Sequence, residues 1–367
     1  MILCANPKEQ YFSYKEEIDN AISSVLKKGM YILGDEVTAF ENEFAEFNGV
    51  LGGVGVSSGT DAIHIALKAY GIGSGDEVIT VSHTAVATVA AIELTGAAAV
   101  MVDIEEDYFT IDPQKIEKAI TSKTKAIIPV HLYGLPVDMD SIMVVAGKHN
   151  LKVIEDCAQA HGAKYIGSNV GSIGDCGCFS LYPTKNLGAI GDGGIIISND
   201  KGVLERAKLF RQYGWAKRYI SQDKGINSRL DELQAAILRV KLKYLDEDNK
   251  KRGKIAEQYN RGLIDCSHIL LPKVREDCCH VYHQYVIRVN DRDKLLDHLR
   301  GNEILAAIHY PQPIHLQPAY NISPKKVYLP VTEKIVHNIL SLPIYPELGK
   351  FEVERVVTSI REFYKST

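Results

Sequence analysis

The stretch CGCFSLYPTKNLGAIGDGGIIISN, residues 176–199, decides our interpretation of this chain. Residues 178–181 and 194–198 are short, apolar and bounded by glycine, proline or asparagine, which predicts two strands. The loop between these strands holds one lysine, Lys185, and Pro183 favours a straight approach to the turn. The stretch therefore predicts a lysine on a rigid frame, although a solvated lysine in a glycine-rich hairpin explains it equally well.

A second stretch, KVIEDCAQAHG at residues 152–162, gives the lysine a partner. Val153 and Ile154 predict a short buried strand, and Asp156 stands at its carboxyl end, where open parallel sheets bind ligands. An aspartate there could simply cap a helix. Beside Lys185 it indicates a site for pyridoxal phosphate, which needs a lysine for a Schiff base and a carboxylate opposite its ring nitrogen.

A third stretch, VGVSSGTDAIHIAL at residues 54–67, predicts a strand, a turn of small residues and a helix. The free N–H groups and the dipole of such a helix start attract anions. Gly59 would let a phosphate approach closely, and the Thr60 hydroxyl could add a hydrogen bond, although an ordinary helix cap explains the same residues. The glycines do not match a dinucleotide-binding fingerprint, because Ser58 stands where the third glycine should be.

From residue 76 onward, short strands alternate with helical stretches. We expect strands at residues 77–81, 98–102, 126–130 and 152–154, and helices at residues 84–94, 113–119 and 140–149. Such alternation implies crossover connections and a mainly parallel sheet. The 367 residues exceed one ordinary domain. We therefore predict an α/β protein with a large cofactor-binding domain at residues 1–245 and a smaller C-terminal α+β domain at residues 246–367.

Composition argues against several other classes of protein. Hydrophobic residues make up 46 % and charged residues 24 %, as in globular proteins, and the net charge of −4 gives no reason to expect nucleic acid or an anionic membrane as a partner. No apolar run approaches the roughly 18 residues of a spanning helix, and the first residues do not have the pattern of a secretion signal. The seven cysteines lack zinc-site spacing and fit reduced thiols, so we expect a cytoplasmic protein without a metal site.

Three motifs in order, SSGTDAIHIAL (residues 57–67), EDCAQAHGA (155–163) and SLYPTKNLGAIGDGG (180–194), resemble one known family. They are similar to the DegT/DnrJ/EryC1/StrS sugar aminotransferases, and the likeness runs over nearly the whole chain, from residues 29–47 to 341–349. The resemblance implies the fold of type I pyridoxal-phosphate-dependent transferases, which is like that of aspartate aminotransferase.

The resemblance assigns one residue to catalysis and several to the cofactor. Lys185 would form the Schiff base and then act as the general base. The implied cofactor-binding residues are Gly59, Thr60, Asp156, Gln159, Ser180, Lys185, Asn227 and His83. Asn227 would reach across a dimer interface to the partner's cofactor phosphate, which implies a homodimer with shared active sites. Many relatives have an aromatic residue near the position of Ala85 to stack on the ring; here His83 could do so, or simply begin a helix.

The resemblance also implies contacts with the substrate. The implied substrate-binding residues are Tyr182, Arg229, His309, Tyr310 and His315. Lys217 and Arg218, together with Arg229, suit a nucleotide diphosphate, although they could equally be solvated.

The implied reaction takes an amino group from L-glutamate, leaves pyridoxamine phosphate, and aminates a nucleotide-linked keto-deoxysugar. Residues 227–234 with 182–188 look most similar to the branch that aminates 3-keto sugars. This favours a dTDP-3-keto-6-deoxyhexose, in the biosynthesis of deoxyaminosugars for lipopolysaccharide or S-layer glycans. The alternatives are a 4-keto-sugar, cyclitol or aminoshikimate-type aminotransferase and, in a different class, a regulator that binds the cofactor without turnover.

Overall fold

The computed structural model describes residues 1–320 and 327–365. Its helices are α1 (Pro7–Ser13), α2 (Lys15–Lys28), α3 (Asp35–Asn48), α4 (Gly59–Ala69), α5 (Val86–Leu94), α6 (Pro113–Ala119), α7 (Met139–His149), α8 (Lys201–Phe210), α9 (Glu232–Leu242), α10 (Leu245–Leu263), α11 (Arg292–Gly301), α12 (Pro330–Ile335) and α13 (Lys350–Lys365). Its strands are β1 (Gly52–Val56), β2 (Glu77–Val81), β3 (Ala98–Val102), β4 (Thr124–Ile127), β5 (Lys152–Asp156), β6 (Lys164–Tyr165), β7 (Ser168–Asn169), β8 (Cys176–Ser180), β9 (Gly194–Ser198), β10 (Trp215–Lys217), β11 (Ile220–Ser221), β12 (Ile269–Leu270), β13 (Cys278–Cys279), β14 (Tyr285–Val289) and β15 (Ile339–Leu342).

The central sheet has seven strands in the order β1-β9-β8-β5-β4-β2-β3. All neighbouring pairs from β8 to β3 are parallel, whereas β9 runs antiparallel to both β8 and β1. The chain returns directly from β8 to its sheet neighbour β9 through residues 181–193, which contain no helix, so the two strands run in opposite directions. The prediction of an α/β protein with a mainly parallel sheet is confirmed.

Successive residues of the strands pack on opposite faces of this sheet. On β9, Ile195 and Ile197 belong to one apolar core, whereas Ile196 belongs to the other. On β5, Val153 and Ile154 divide in the same way. Because both faces are covered, the strands read as continuous apolar runs instead of alternating with polar residues.

Some predicted boundaries differ from the structure. The predicted strand at residues 126–130 is β4, which begins and ends earlier, and Val130 forms only an isolated bridge with Asp156. The helix expected at residues 84–94 is α5, which begins two residues later, at Val86.

A second core lies around the antiparallel sheet β12-β14-β15. Residues from α10, α11 and α13 belong to it, and so does Ile2 near the start of the chain. Ile2 forms a parallel bridge with Ile304. Helix α10 begins where we placed the domain boundary, and the division at residue 245 stays a prediction.

Candidate active site

A cleft of about 230 Å³ lies where the carboxyl ends of β5 and β8 approach the start of α4. Its lining residues are Ser58, Gly59, Thr60, Ile63, Thr84, Ala85, Ala87, Val130, Asp156, Ala158, Gln159, Ser180, Tyr182, Lys185, Asp192 and Gly193. Seven of the thirteen residues predicted from sequence therefore line one cavity: Gly59, Thr60, Asp156, Gln159, Ser180, Tyr182 and Lys185.

The loop that carries Lys185 is held by backbone hydrogen bonds at both ends. Leu181 donates to the Gly193 carbonyl (2.8 Å), and the N–H of Lys185 itself donates to the Tyr182 carbonyl (2.9 Å). The buried Lys241 of α9 donates to the Gly188 carbonyl (2.7 Å), so a side chain from outside the loop also fixes it. The lysine is therefore on a rigid frame, as the sequence predicts.

Burial controls the ionisation of Lys185. Desolvation lowers the pKa of its ammonium group to about 8, and the negative charge of Asp156 partly opposes this shift. Near neutral pH a far larger fraction of this lysine is therefore neutral than of a solvated lysine, and the neutral amine is the form that attacks an aldehyde or accepts a proton.

Asp156 is the last residue of β5 and is 4 % exposed. Its Oδ2 accepts a hydrogen bond from the Thr88 hydroxyl (2.8 Å), and its Oδ1 accepts one from the N–H of Ala158 (3.1 Å). Burial raises the pKa of this carboxyl, whereas these two donors and the nearby Lys185 favour the ionised form.

The first turn of α4 faces the cleft opposite Lys185. Ser58 caps this helix by accepting a hydrogen bond from the N–H of Asp61 (3.1 Å). The N–H groups of Gly59 and Thr60 occupy the first two helical positions and have no carbonyl acceptor in their own helix. A methyl group on Gly59 would lie 2.6 Å from Cβ of Ser180, so only glycine fits this close approach.

Gln159 lies between the cleft and the loop at residues 308–317. Its Oε1 accepts a hydrogen bond from the N–H of Tyr133 (2.7 Å), and its Nε2 donates to the Tyr310 hydroxyl (3.0 Å). One N–H of the amide remains for a ligand in the cleft. The hydrogen bond with Gln159 therefore holds Tyr310 beside the cleft. Burial raises the pKa of the Tyr310 hydroxyl to about 12. His309 lies partly buried next to it, and its Nδ1 bonds the Ser341 hydroxyl (2.9 Å).

The structure does not bring His83 or His315 to the cleft. His83 is 1 % exposed, and its Nε2 donates to the Tyr133 hydroxyl (2.9 Å), which itself donates to a carbonyl. His315 bonds Ser82 through Nδ1 (2.7 Å) and Glu333 through Nε2 (3.1 Å). Both nitrogens of His315 are therefore bonded within the protein, whereas the buried Nδ1 of His83 has no hydrogen-bond partner among the described residues. The predicted ligand contacts of these two histidines stay predictions.

The basic candidates and Asn227 lie outside the cleft lining. Asn227 is exposed, and Arg229 is half-buried. Lys217 and Arg218 are exposed on the two-stranded ribbon β10-β11, where the Arg218 guanidinium lies 5.0 Å from the centre of the Tyr219 ring. Their predicted contacts with a nucleotide or a partner chain stay predictions.

Sequence reasoning missed several residues of the cleft, above all two threonines. Thr84 lines the cavity, and Thr88 bonds Asp156. Thr88 stands in the first turn of α5 and Thr84 lies two residues before that helix, so two hydroxyls at the start of a largely apolar run were the available signal. Ser58 also lines the cleft, and its position as the cap before α4 was a signal in the sequence.

The described residues contain one buried group with the atoms of a metal site, formed by His131, Glu155 and Cys157. The Glu155 carboxylate already accepts hydrogen bonds from the N–H groups of Gly171 (2.7 Å), Ile173 (2.9 Å) and Gly174 (2.7 Å) and from His131 Nε2 (3.0 Å). Nδ1 of His131 accepts from the N–H of Val137 (3.1 Å). The imidazole and the carboxylate therefore bind each other and backbone N–H groups of neighbouring loops, and we assign the group a structural role.

The cleft offers what pyridoxal phosphate requires. The unpaired N–H groups at the start of α4 suit a phosphate, the buried Asp156 suits a protonated ring nitrogen, and no hydrogen bond within the described residues occupies the Lys185 amine. Among residues 1–320 and 327–365, no helix is both long and apolar enough to cross a bilayer.

Comparison with known proteins agrees with this site. The family model described as "DegT/DnrJ/EryC1/StrS aminotransferase family" matches residues 13–361. The chain is 49 % identical to the dTDP-3-amino-3,6-dideoxy-alpha-D-galactopyranose transaminase of Aneurinibacillus thermoaerophilus, over 95 % of this chain and 96 % of the relative. It is 44 % identical to the dTDP-3-amino-3,4,6-trideoxy-alpha-D-glucose transaminase of Streptomyces venezuelae, over 97 % and 94 %.

Solved structures of relatives have the same fold. The crystal structure of S. venezuelae DesV in complex with a ketimine intermediate superposes with a TM-score of 0.96 at 44 % identity, over 99 % of this chain and 98 % of that one. The structure of NtdA from Bacillus subtilis with bound cofactor PMP gives 0.90 at 34 % identity, over 96 % and 82 %.

The fold and the family match define a type I pyridoxal-phosphate-dependent transferase. The chain belongs to the DegT/DnrJ/EryC1/StrS aminotransferase family. It is an aminotransferase that uses pyridoxal phosphate, as the sequence predicts.

Proposed function

We propose that this enzyme transfers an amino group from L-glutamate to the ketone of a nucleotide-linked keto-deoxysugar, in deoxyaminosugar biosynthesis. The observation that carries the proposal is the buried Lys185 in one cleft with Asp156, beside the free N–H groups of α4. The names of two close relatives, both transaminases of dTDP-3-amino sugars, support the sugar as acceptor.

The chain's own residues supply positioning and proton transfer. When bound, pyridoxal phosphate supplies an aldehyde that takes up amino groups and a ring that accepts the electron pair released at the substrate carbon. Gly59, Thr60 and Ser180 would hold the phosphate, and Asp156 would keep the ring nitrogen protonated. Lys185 would bind the aldehyde and, once displaced by the amino donor, move a proton between the substrate α-carbon and C4′ of the cofactor.

The carbon that receives the amine is proposed as C3, with a dTDP-3-keto-6-deoxyhexose as the acceptor. Both dTDP-sugar transaminases compared above form 3-amino products. Tyr182, at 51 % exposure on the cleft wall, and Tyr310 would contact the sugar, with His309 beside them. Arg229, Lys217 and Arg218 are the basic groups that would meet the diphosphate.

The proposed enzyme is a homodimer in which Asn227 completes the partner's phosphate site. Two features support this arrangement: the Asn227 side chain is exposed, and the adjacent Ser228 is fully buried and donates to Asp61 of α4 (2.7 Å). The segment that carries Asn227 is thereby fixed to the start of the helix that forms the phosphate site of its own chain. A cytoplasmic location is part of the proposal and rests on seven free cysteines.

The test is a pair of reactions with one purified sample. The protein should be yellow, should lose its visible band on addition of glutamate, and should regain it with a dTDP-3-keto-6-deoxyhexose faster than with a dTDP-4-keto isomer. Faster recovery with the 4-keto sugar or with a keto-cyclitol would replace the proposed acceptor. A colourless protein that does not bind added pyridoxal phosphate would overturn the reaction class and leave a role without turnover.

A further inference from the structure

Asp156 is held by two donors on different oxygens. The Thr88 hydroxyl donates to Oδ2 at 2.8 Å, and the N–H of Ala158 donates to Oδ1 at 3.1 Å. An ionised carboxylate has about four acceptor positions, so each oxygen keeps one free for a ligand. With both oxygens bonded, the carboxylate cannot rotate without losing a buried hydrogen bond, and its plane is fixed relative to the cleft.

A second threonine fixes the direction of these bonds. The hydroxyl oxygens of Thr84 and Thr88 lie 3.1 Å apart, and both side chains are buried. An ionised carboxylate only accepts, so the single hydrogen of Thr88 is used on Asp156. Thr84 must therefore donate to Thr88, which gives a chain from the cleft wall through Thr84 and Thr88 to the carboxylate. Hydrogen bonds in such a chain polarise and strengthen one another.

Neither helix formation nor apolar packing explains a threonine at position 88 of α5. It stands in the first turn of a helix whose other residues are apolar except for Glu93, and a β-branched residue is a poor helix former. The side chain is 0 % exposed, so water cannot replace its hydrogen bond to Asp156.

We propose that Thr88 is a positioning residue for the cofactor, which orients Asp156 and holds its ionised carboxylate towards the ring nitrogen. Thr88 acts only through Asp156 and does not touch the reacting atoms. Without its hydroxyl, the buried carboxylate loses a donor and can turn away or take up a proton, and both changes weaken its contact with the ring. The proposal rests on the assignment of Asp156 to the ring nitrogen, which is part of the proposed function.

The test compares four single variants and one double variant by titrating the protein without cofactor with pyridoxal phosphate. Thr88→Val removes the hydroxyl and keeps the shape, and we expect the dissociation constant to rise about tenfold or more, because the lost bond is to a charged group. Thr88→Ser keeps the hydroxyl and should stay within about twofold of the natural protein. The matched control is Thr80→Val on β2, which removes an equally buried hydroxyl that bonds the Ile128 carbonyl (3.0 Å) away from the cleft.

The fourth variant, Asp156→Asn, separates the possible failures. If Thr88 acts through Asp156, adding Thr88→Val to Asp156→Asn should change the dissociation constant by less than about twofold. In the loaded enzyme, Thr88→Val should lower kcat and leave the KM for glutamate almost unchanged. The proposal is overturned if Thr88→Val binds the cofactor normally, if Thr80→Val is equally impaired, or if Thr88→Val keeps its full effect in the double variant. Normal binding by Asp156→Asn would instead show that the ring-nitrogen assignment is wrong, and the proposal would fall with it.

Discussion

At the scale of single residues, the burial of Lys185 and Asp156 costs folding free energy. Burial lowers the pKa of the lysine to about 8 and raises the pKa of the aspartate, so in each case burial acts against the charged form. The attraction between the two groups compensates only in part. A cofactor that bonds the amine and pairs with the carboxylate removes both disadvantages.

Replacement of Lys185 by methionine should therefore stabilise the protein without cofactor. The folded pKa lies below the unfolded value, so the folded state binds fewer protons between about pH 8 and pH 10.5, and the stability of the natural protein rises with pH across this window. At pH 7 we expect the variant to gain up to about 3 kcal/mol in free energy of unfolding, with the gain shrinking as pH rises. Urea unfolding at fixed protein concentration measures this, and a gain that grows with pH would contradict the assigned shift.

Gly59 permits a test of the phosphate site. In Gly59→Ala the added methyl would meet Cβ of Ser180 at 2.6 Å, so the helix start or β8 must move, at a cost of about 1–3 kcal/mol. We expect pyridoxal phosphate to bind about tenfold more weakly or worse, measured by titration. Gly147→Ala on α7 is the control, because nothing lies within 4 Å of its added methyl. It should raise stability by about 0.4–1 kcal/mol and leave cofactor binding unchanged.

At the scale of elements, a carboxylate from one helix caps another. Glu232, the first residue of α9, is buried and accepts hydrogen bonds from the N–H groups of Gly34 (2.7 Å), Glu36 (3.0 Å) and Val37 (2.9 Å). These donors are at the start of α3, where the helix has no acceptors of its own. The contact therefore joins two helices that are almost 200 residues apart in the sequence.

Loss of this cap should be costly. Glu232→Ala leaves three donors without their charged acceptor, and we expect the free energy of unfolding to fall by about 2–4 kcal/mol. Glu205→Ala on α8 is the comparison, because its exposed pair with Lys201 (3.8 Å) should contribute less than about 1 kcal/mol. Equal losses of unfolding free energy in the two variants would mean that the cap stabilises the protein no more than an exposed ion pair does.

Sequence reasoning succeeded where local pattern decides the element. The bounds of β2, β3, β9 and α6 coincide with their predicted residues, because each is a short apolar or amphipathic run between clear breakers. It failed for β4, where the apolar run continues past the strand into residues that line the cleft and pack around it. Hydrophobicity reports burial, and it cannot distinguish a strand from the buried chain that follows.

At the scale of the molecule, the cleft combines segments that are distant in sequence, and this limits prediction of the site. Lys185 and Asp156 were predictable, because each stands at a strand end in a parallel sheet. The buried partners of His83 and His315 were not, because Tyr133, Ser82 and Glu333 meet these rings only after folding. Any histidine can bind a ligand on chemical grounds alone. Which ring nitrogens are already hydrogen-bonded within the protein depends on the packing of the folded chain.

Residues of the predicted smaller domain also take part in the site. Gln159 bonds Tyr310, and the carboxylate of Asp103 accepts hydrogen bonds from the N–H groups of Val331 (2.9 Å) and Thr332 (2.9 Å) at the start of α12. These contacts fix segments on both sides of residues 321–326, which lie outside the described residues, to the large sheet. The arrangement of Tyr310 beside the cleft therefore depends on the fold of both parts.

The central claim is that Lys185 carries out amino transfer, and isotope transfer tests it most directly. The loaded enzyme is mixed with ¹⁵N-labelled L-glutamate and a dTDP-3-keto-6-deoxyhexose, and the sugar is examined for ¹⁵N by mass spectrometry. The natural protein should label the sugar, and Lys185→Ala should form no labelled amino sugar while keeping its folded circular-dichroism spectrum. Labelling by Lys185→Ala at the natural rate would contradict the account.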